Sequence, residues 1–179
     1  METKNIAVFC GSKKGANPCF EQETIILGSL MAARGIRLIY GGGSMGLMGV
    51  VADAVMAGGG EVIGIIPEIL VGWEAQHLGI TDLRVVPDMH IRKRMMYELC
   101  DAAVVLPGGN GTMDELFEML TWNTLKIHNK KIVLLNCDGY YDNLVAHIET
   151  MFNNDFLHED WKDRLIVCET AEEAISALA

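Results

Sequence analysis

Apolar positions along the chain follow two rhythms. Short runs with almost no polar interruption occupy 6–9, 37–40, 62–66, 102–106 and 131–135. They are too short for helices, and they read as strands buried on both faces. Between them lie longer stretches whose apolar residues recur at helical spacing, over 20–34, 45–57, 112–125 and 141–152. Asp88 is placed to cap a further helix that runs to about 99. Gly35 and the triplet 58–60 act as stops. A strand at 165–167 and a helix at 171–178 close the chain. Residues 68–87 show little periodicity, and predict an irregular excursion with a short strand at 83–86.

Apolar strands alternating with helices predict an α/β fold: a Rossmann-like, doubly wound, mainly parallel sheet with helices on both faces. The length of 179 residues, with half of them hydrophobic, suits a single nucleotide-binding domain over 1–179. Sheets of this kind bind ligands beyond the carboxyl ends of their strands.

A net charge of −10 with no basic stripe argues against nucleic acid or an anionic membrane as partner. A small anion is still compatible, since a pocket can be locally positive. No apolar run approaches the roughly 20 residues of a membrane span, and 1–9 lacks a secretory apolar region. Five cysteines, with no CxxC and no accompanying histidine cluster, fit reduced thiols in a cytoplasm better than disulfides or zinc.

The chemistry-bearing motifs sit where predicted strands end. The first loop is 11–15, with Ser12. The second, 41–49, carries Gly42, Gly43 and Gly46. The third, 107–112, is Pro107, Gly108, Gly109, Asn110, Gly111 and Thr112. Glycine turns that open helices leave N–H groups converging on one point, with the helix dipole behind them, which is a phosphate cradle. Neither the dinucleotide fingerprint nor the P-loop is complete, so a mononucleotide phosphate is the better match. Met48 and Met89 sit inside motifs, placed either to line such a pocket or to fill the core.

Arg92 and Lys93 lie near a predicted helix start, where cations oppose the dipole unless they meet an anion. The alternative is two solvated side chains. Arginine offers a bidentate fork to phosphate. Spacing alone favours Thr112 and Glu115 as a capping box. The competing reading makes Glu115 a carboxylate beside the cradle, serving as acid or base or steadying an oxocarbenium-like ribose. Asp114 and Glu118 are expected to face solvent.

These motifs resemble the LOG family, the cytokinin riboside 5′-monophosphate phosphoribohydrolases, formerly labelled possible lysine decarboxylases. PGGxGTxxE stands at 107–115, GGGxxGLMG at 41–49, Met-His-x-Arg-Lys at 89–93, and family-like segments at 8–12 and 136–141. The resemblance covers roughly 5–170. It implies hydrolysis of the N-glycosidic bond of an adenosine 5′-monophosphate, often N6-substituted, to free base and ribose 5-phosphate. It implies Arg92 and Glu115 as the catalytic pair. Lys93, residues 109–115, Thr121 and, less securely aligned, Glu74 would contact nucleotide. No metal or organic cofactor and a dimer or larger homo-oligomer are also implied. Two readings compete: a non-catalytic nucleotide or molybdenum-cofactor carrier of similar fold, and a pyridoxal-phosphate decarboxylase built on a lysine.

Overall fold

The computed structural model describes residues 3–72 and 76–178. Among them, seven strands form one sheet: β1 (Asn5–Phe9), β2 (Arg37–Tyr40), β3 (Val62–Pro67), β4 (Asp82–Val86), β5 (Ala102–Val105), β6 (Ile132–Leu135) and β7 (Leu165–Cys168). The order is β4-β3-β2-β1-β5-β6-β7, and every strand pairing is parallel. The helices are α1 (Pro18–Ala33), α2 (Gly46–Ala57), α3 (Met89–Leu99), α4 (Asn110–Thr124), α5 (Asp142–Asn153) and α6 (Ala171–Ala177).

Side chains alternate across each strand, so a sheet covered on both sides needs two cores. Ile6 and Val8 of β1 pack with Leu27, Met31, Val51 and Ala174 from α1, α2 and α6. Ala7 and Phe9 of the same strand face Met96, Leu116, Met119 and Ile148 from α3, α4 and α5. That is the doubly wound arrangement the sequence predicts. The chain winds outward from β1 to β4, then returns to lay β5 against the other side of β1, with Phe9 paired to Val105. The connections leaving β1 and β5 diverge to opposite faces and open a crevice between the two strand ends.

Several boundaries differ from the sequence reading. Helix α1 starts at Pro18 rather than 20, because Asn17 caps it by accepting from the Cys19 N–H, with proline in the first turn. Among its described residues, the excursion after β3 holds one 3-10 turn (Glu68–Leu70) before β4. Helix α4 starts at Asn110, two residues before the expected cap. Among the described residues, no helix is long and apolar enough to cross a membrane.

Candidate functional site

A cavity of about 200 Å³ lies at the crevice. Its walls are residues 8–12, Gly41 at the end of β2, Met48 on α2, Met89 and Arg92 on α3, and residues 109–112 with Asp114 and Glu115 on α4. The ends of three adjacent strands, β2, β1 and β5, thus converge where the glycine loops sit.

The start of α4 corrects the capping-box expectation. Gly109 is the N-cap and makes no side-chain cap bond, so Thr112 and Glu115 both lie inside the helix. A box needs Thr112 outside the first turn with extended backbone, and here Thr112 is already helical and buried. Helical spacing puts Gly111 and Thr112 four and three residues before Glu115, on one face. That face lines the cavity. The N–H groups of Asn110, Gly111 and Thr112, in the first turn, have no acceptor within the helix. They form the open positive end of its dipole. The Glu115 carboxylate therefore stands one turn beyond an anion-attracting edge, and it is 9% exposed.

Opposite stands α3. Asp88 caps it as predicted, accepting from the Ile91 N–H at 2.8 Å. Met89 and Arg92, three apart, share the cavity face. Arg92 is 5% exposed, not solvated. Its Nε donates to the Ile65 carbonyl at 3.1 Å and one terminal nitrogen to the Gly41 carbonyl at 3.0 Å. The other terminal nitrogen lies 3.7 Å from the Met89 sulfur. The carboxyl ends of β2 and β3 thus hold the guanidinium in place. A Cβ on Gly41 would fall 2.0 Å from that guanidinium, so only glycine allows the approach.

Lys93 also departs from the solvated alternative, being 8% exposed. It turns along α4 rather than into the cavity wall. Its Nζ is 3.0 Å from Asp114 Oδ2 and 3.0 Å from Glu118 Oε2. Glu118 also accepts from the Tyr97 hydroxyl at 2.7 Å. Burial works to lower the Lys93 pKa. The hydrogen bonds and negative charges of Asp114 and Glu118 outweigh it and leave the pKa raised. Asp114 is exposed as expected, but Glu118 is only 27% exposed and belongs to this network.

Ser12, Met89, Arg92, Gly109, Asn110, Gly111, Thr112 and Glu115 all line the cavity. Gly42, Gly43, Gly46 and Gly108 shape its surroundings instead. Gly42 packs on Ile66 and Leu83, and Gly43 bridges to Gln76. Gly46 opens α2 against the backbone of Ser12, and Gly108 abuts Thr112. The second glycine loop is not an open cradle like the third, because the Leu47 N–H at the start of α2 donates to the Gly11 carbonyl. Thr121 lies on the exposed side of α4, bonded to the Phe117 carbonyl. Glu74 lies outside the described residues. Gly41 and Cys10, which the sequence reading held only as members of the segments 41–49 and 8–12 and not as individual site residues, also line the cavity.

A family model described as "Possible lysine decarboxylase" matches residues 48–178. A cytokinin riboside 5′-monophosphate phosphoribohydrolase of Rhodococcoides fascians is 45% identical over 98% of this chain and 89% of its own length. One from Arabidopsis thaliana, LOG3, is 42% identical over 98% of this chain and 81% of its own. Among solved structures, the molybdenum cofactor binding protein of Rippkaea orientalis superposes with a TM-score of 0.75 over 99% of this chain and 96% of that one. At 21% identity that likeness concerns the fold alone. By its motifs, its family model and its full-length relatives, the chain belongs to the LOG family, the group also described as possible lysine decarboxylases.

Proposed function

We propose that this protein hydrolyses the N-glycosidic bond of an adenosine 5′-monophosphate, with or without an N6 substituent, releasing free base and ribose 5-phosphate. The observation that carries the reading is one helix face presenting both an unfilled N–H edge, at 110–112, and a buried carboxylate, Glu115, to a cavity that Arg92 lines from the other side. The phosphoribohydrolase relatives, similar over 98% of the chain, support it.

In this reading the phosphate sits on the first turn of α4, with Ser12 and Gly109 beside it. That places the ribose next to Glu115. As the bond from C1′ to the base nitrogen breaks, its electron pair leaves with the base and positive charge builds on the ribose. The Glu115 carboxylate stabilises that charge and accepts a proton from the water that attacks C1′. The base takes up a proton as it departs, so one water is consumed in all. Arg92 is the fixed cation, set against the phosphate as the nucleotide binds and against the negative charge on the leaving base. Met48 and Met89 give the base an apolar wall. Lys93 serves chiefly to join α3 to α4 and hold Asp114 at the rim. Its Nζ is engaged by Asp114 and Glu118 and directed away from the cavity, which does not suit the amine nucleophile a decarboxylase would need.

The reading extends to assembly and location. Phe117, Leu125 and Ile127 are exposed apolar residues on α4 and the turn after it. Thr121 lies between Phe117 and Leu125 at helical spacing, on a face that a second copy would cover. Five free cysteines, mostly buried, suit the reducing cytoplasm.

Four outcomes are expected. Incubation with AMP, isopentenyl-AMP, GMP, CMP and the matching nucleosides releases base and ribose 5-phosphate from an adenosine monophosphate but not from its nucleoside. Glu115→Gln and Arg92→Ala each lower kcat/KM by about 100-fold or more, and full turnover in both would dismiss the assignment. Lys93→Met lowers stability by about 1–2 kcal/mol at neutral pH. A lysine whose pKa is raised on folding contributes stability below its unfolded pKa, so the gap between wild type and variant should close as pH rises past the ordinary lysine value of 10.5. Melting curves across pH would show a constant gap if Lys93 were simply packing. Sedimentation velocity should give a dimer or larger species, and a monomer at micromolar concentration would remove the oligomer.

A further inference from the structure

The segment 136–141, Asn-Cys-Asp-Gly-Tyr-Tyr, has no part in the chemistry above, yet its hydrogen bonds run to the turn that opens α4. It follows β6, the neighbour of β5. The Tyr141 hydroxyl is buried and donates to the Leu106 carbonyl at 2.7 Å. The Tyr140 hydroxyl donates to the Gly108 carbonyl at 2.6 Å. Between them, the Pro107 carbonyl accepts from the Gly11 N–H at 3.0 Å, and the Gly109 carbonyl accepts from the Met113 N–H at 3.1 Å. Every carbonyl from 106 to 109 is thus engaged.

We propose that Tyr140 and Tyr141 are positioning residues for the phosphate site, holding the carbonyls of 106 and 108 aside so that the N–H edge from Gly109 onward faces the cavity. The inference rests on the phosphate placement proposed above. The physical basis is the planar trans peptide. A carbonyl and the N–H that follows it point in opposite directions, so fixing the Gly108 oxygen on Tyr140 sends the Gly109 N–H the other way. Tyr140 does not line the cavity that holds Arg92 and Glu115, whereas Gly109 does. Two successive glycines resist rotation of the peptide between them very little. Unlatched, that peptide can turn its oxygen toward the bound anion and repel it.

The tyrosine rings are held independently of their hydroxyls. Tyr140 packs edge-on against Phe20, with ring centroids 5.2 Å apart, and against Tyr141 at 4.7 Å. Asn136 accepts from the Tyr141 N–H at 2.6 Å and donates to Asp142 at 2.8 Å, which fixes the turn itself. Phenylalanine at either position would therefore keep the packing and remove only the latch.

The test uses the full chain with Tyr140→Phe and Tyr141→Phe. Calorimetric titration measures inorganic phosphate, ribose 5-phosphate and free adenine, alongside kcat and KM on AMP. Tyr140→Phe is expected to weaken phosphate and ribose 5-phosphate about 3- to 10-fold, the worth of one hydrogen bond. The KM for nucleotide should rise in step, while adenine affinity and the thermal midpoint hold. Tyr141→Phe should weaken the same two ligands and also lower the midpoint, since it leaves the buried Leu106 carbonyl unpaired. Wild-type phosphate affinity and KM in Tyr140→Phe would overturn the proposal. So would equal weakening of adenine and phosphate with a lowered midpoint, the mark of general loosening. A wild type that binds phosphate, loses affinity in Tyr140→Phe and cleaves no nucleotide would sink the hydrolase reading and uphold the latch. A wild type that binds no phosphate would sink both.

Discussion

At the carboxyl edge of a parallel sheet, every strand delivers carbonyl oxygens to the place where the next helix delivers N–H groups. An anion can be held there only if the oxygens are turned aside or neutralised. The Arg92 guanidinium takes up the carbonyls of Ile65 and Gly41. The Gly11 N–H takes that of Pro107, and the two tyrosine hydroxyls take those of Leu106 and Gly108. What is left facing the cavity from α4 is its unfilled first turn. Strand order, the glycine at 41 and the packing of α3 against the sheet all contribute to that sorting of dipoles.

The same sorting explains how a chain of net charge −10 can accommodate a phosphate. Lys93 is already balanced by Asp114 and Glu118. Local positive potential comes from Arg92, buried and held by the carbonyls of Ile65 and Gly41, and from the N-terminal end of the α4 dipole. Under the proposed reading, Glu115 tolerates its position beside the anion because ribose lies between them and becomes positive as the base leaves. The two facing walls of the cavity come from different halves of the sheet: Arg92 follows β4, on the outward run, and Glu115 follows β5, on the return. The switch point between β1 and β5 brings them to one cavity.

Much of this was legible before any coordinates. Unbroken apolar runs separated by helical periods specify a doubly wound parallel sheet, and strand ends specify where to look. Arg92 and Glu115 were singled out as a pair by the family resemblance, and the glycine loops were readable from their places at the predicted strand ends. The capping box was not, since Thr112-x-x-Glu115 fits a cap equally well until Gly109 takes that role. The burial of Lys93 was hidden because its partners, Asp114 and Glu118, come from another helix 21 and 25 residues on. The start of α1 had a readable signal in Asn17-Pro18, cap followed by first-turn proline. The role of Tyr140 and Tyr141 depends on which way a peptide plane faces, and no side-chain pattern encodes that.

The most direct measurement is a crystal structure of the Glu115→Gln variant soaked with AMP. The account predicts phosphate oxygens within hydrogen-bonding distance of the N–H groups of 110–112, the ribose C1′ facing position 115, and the base against Met48 and Met89. A nucleotide bound elsewhere, or one whose phosphate lies away from the first turn of α4, would contradict it.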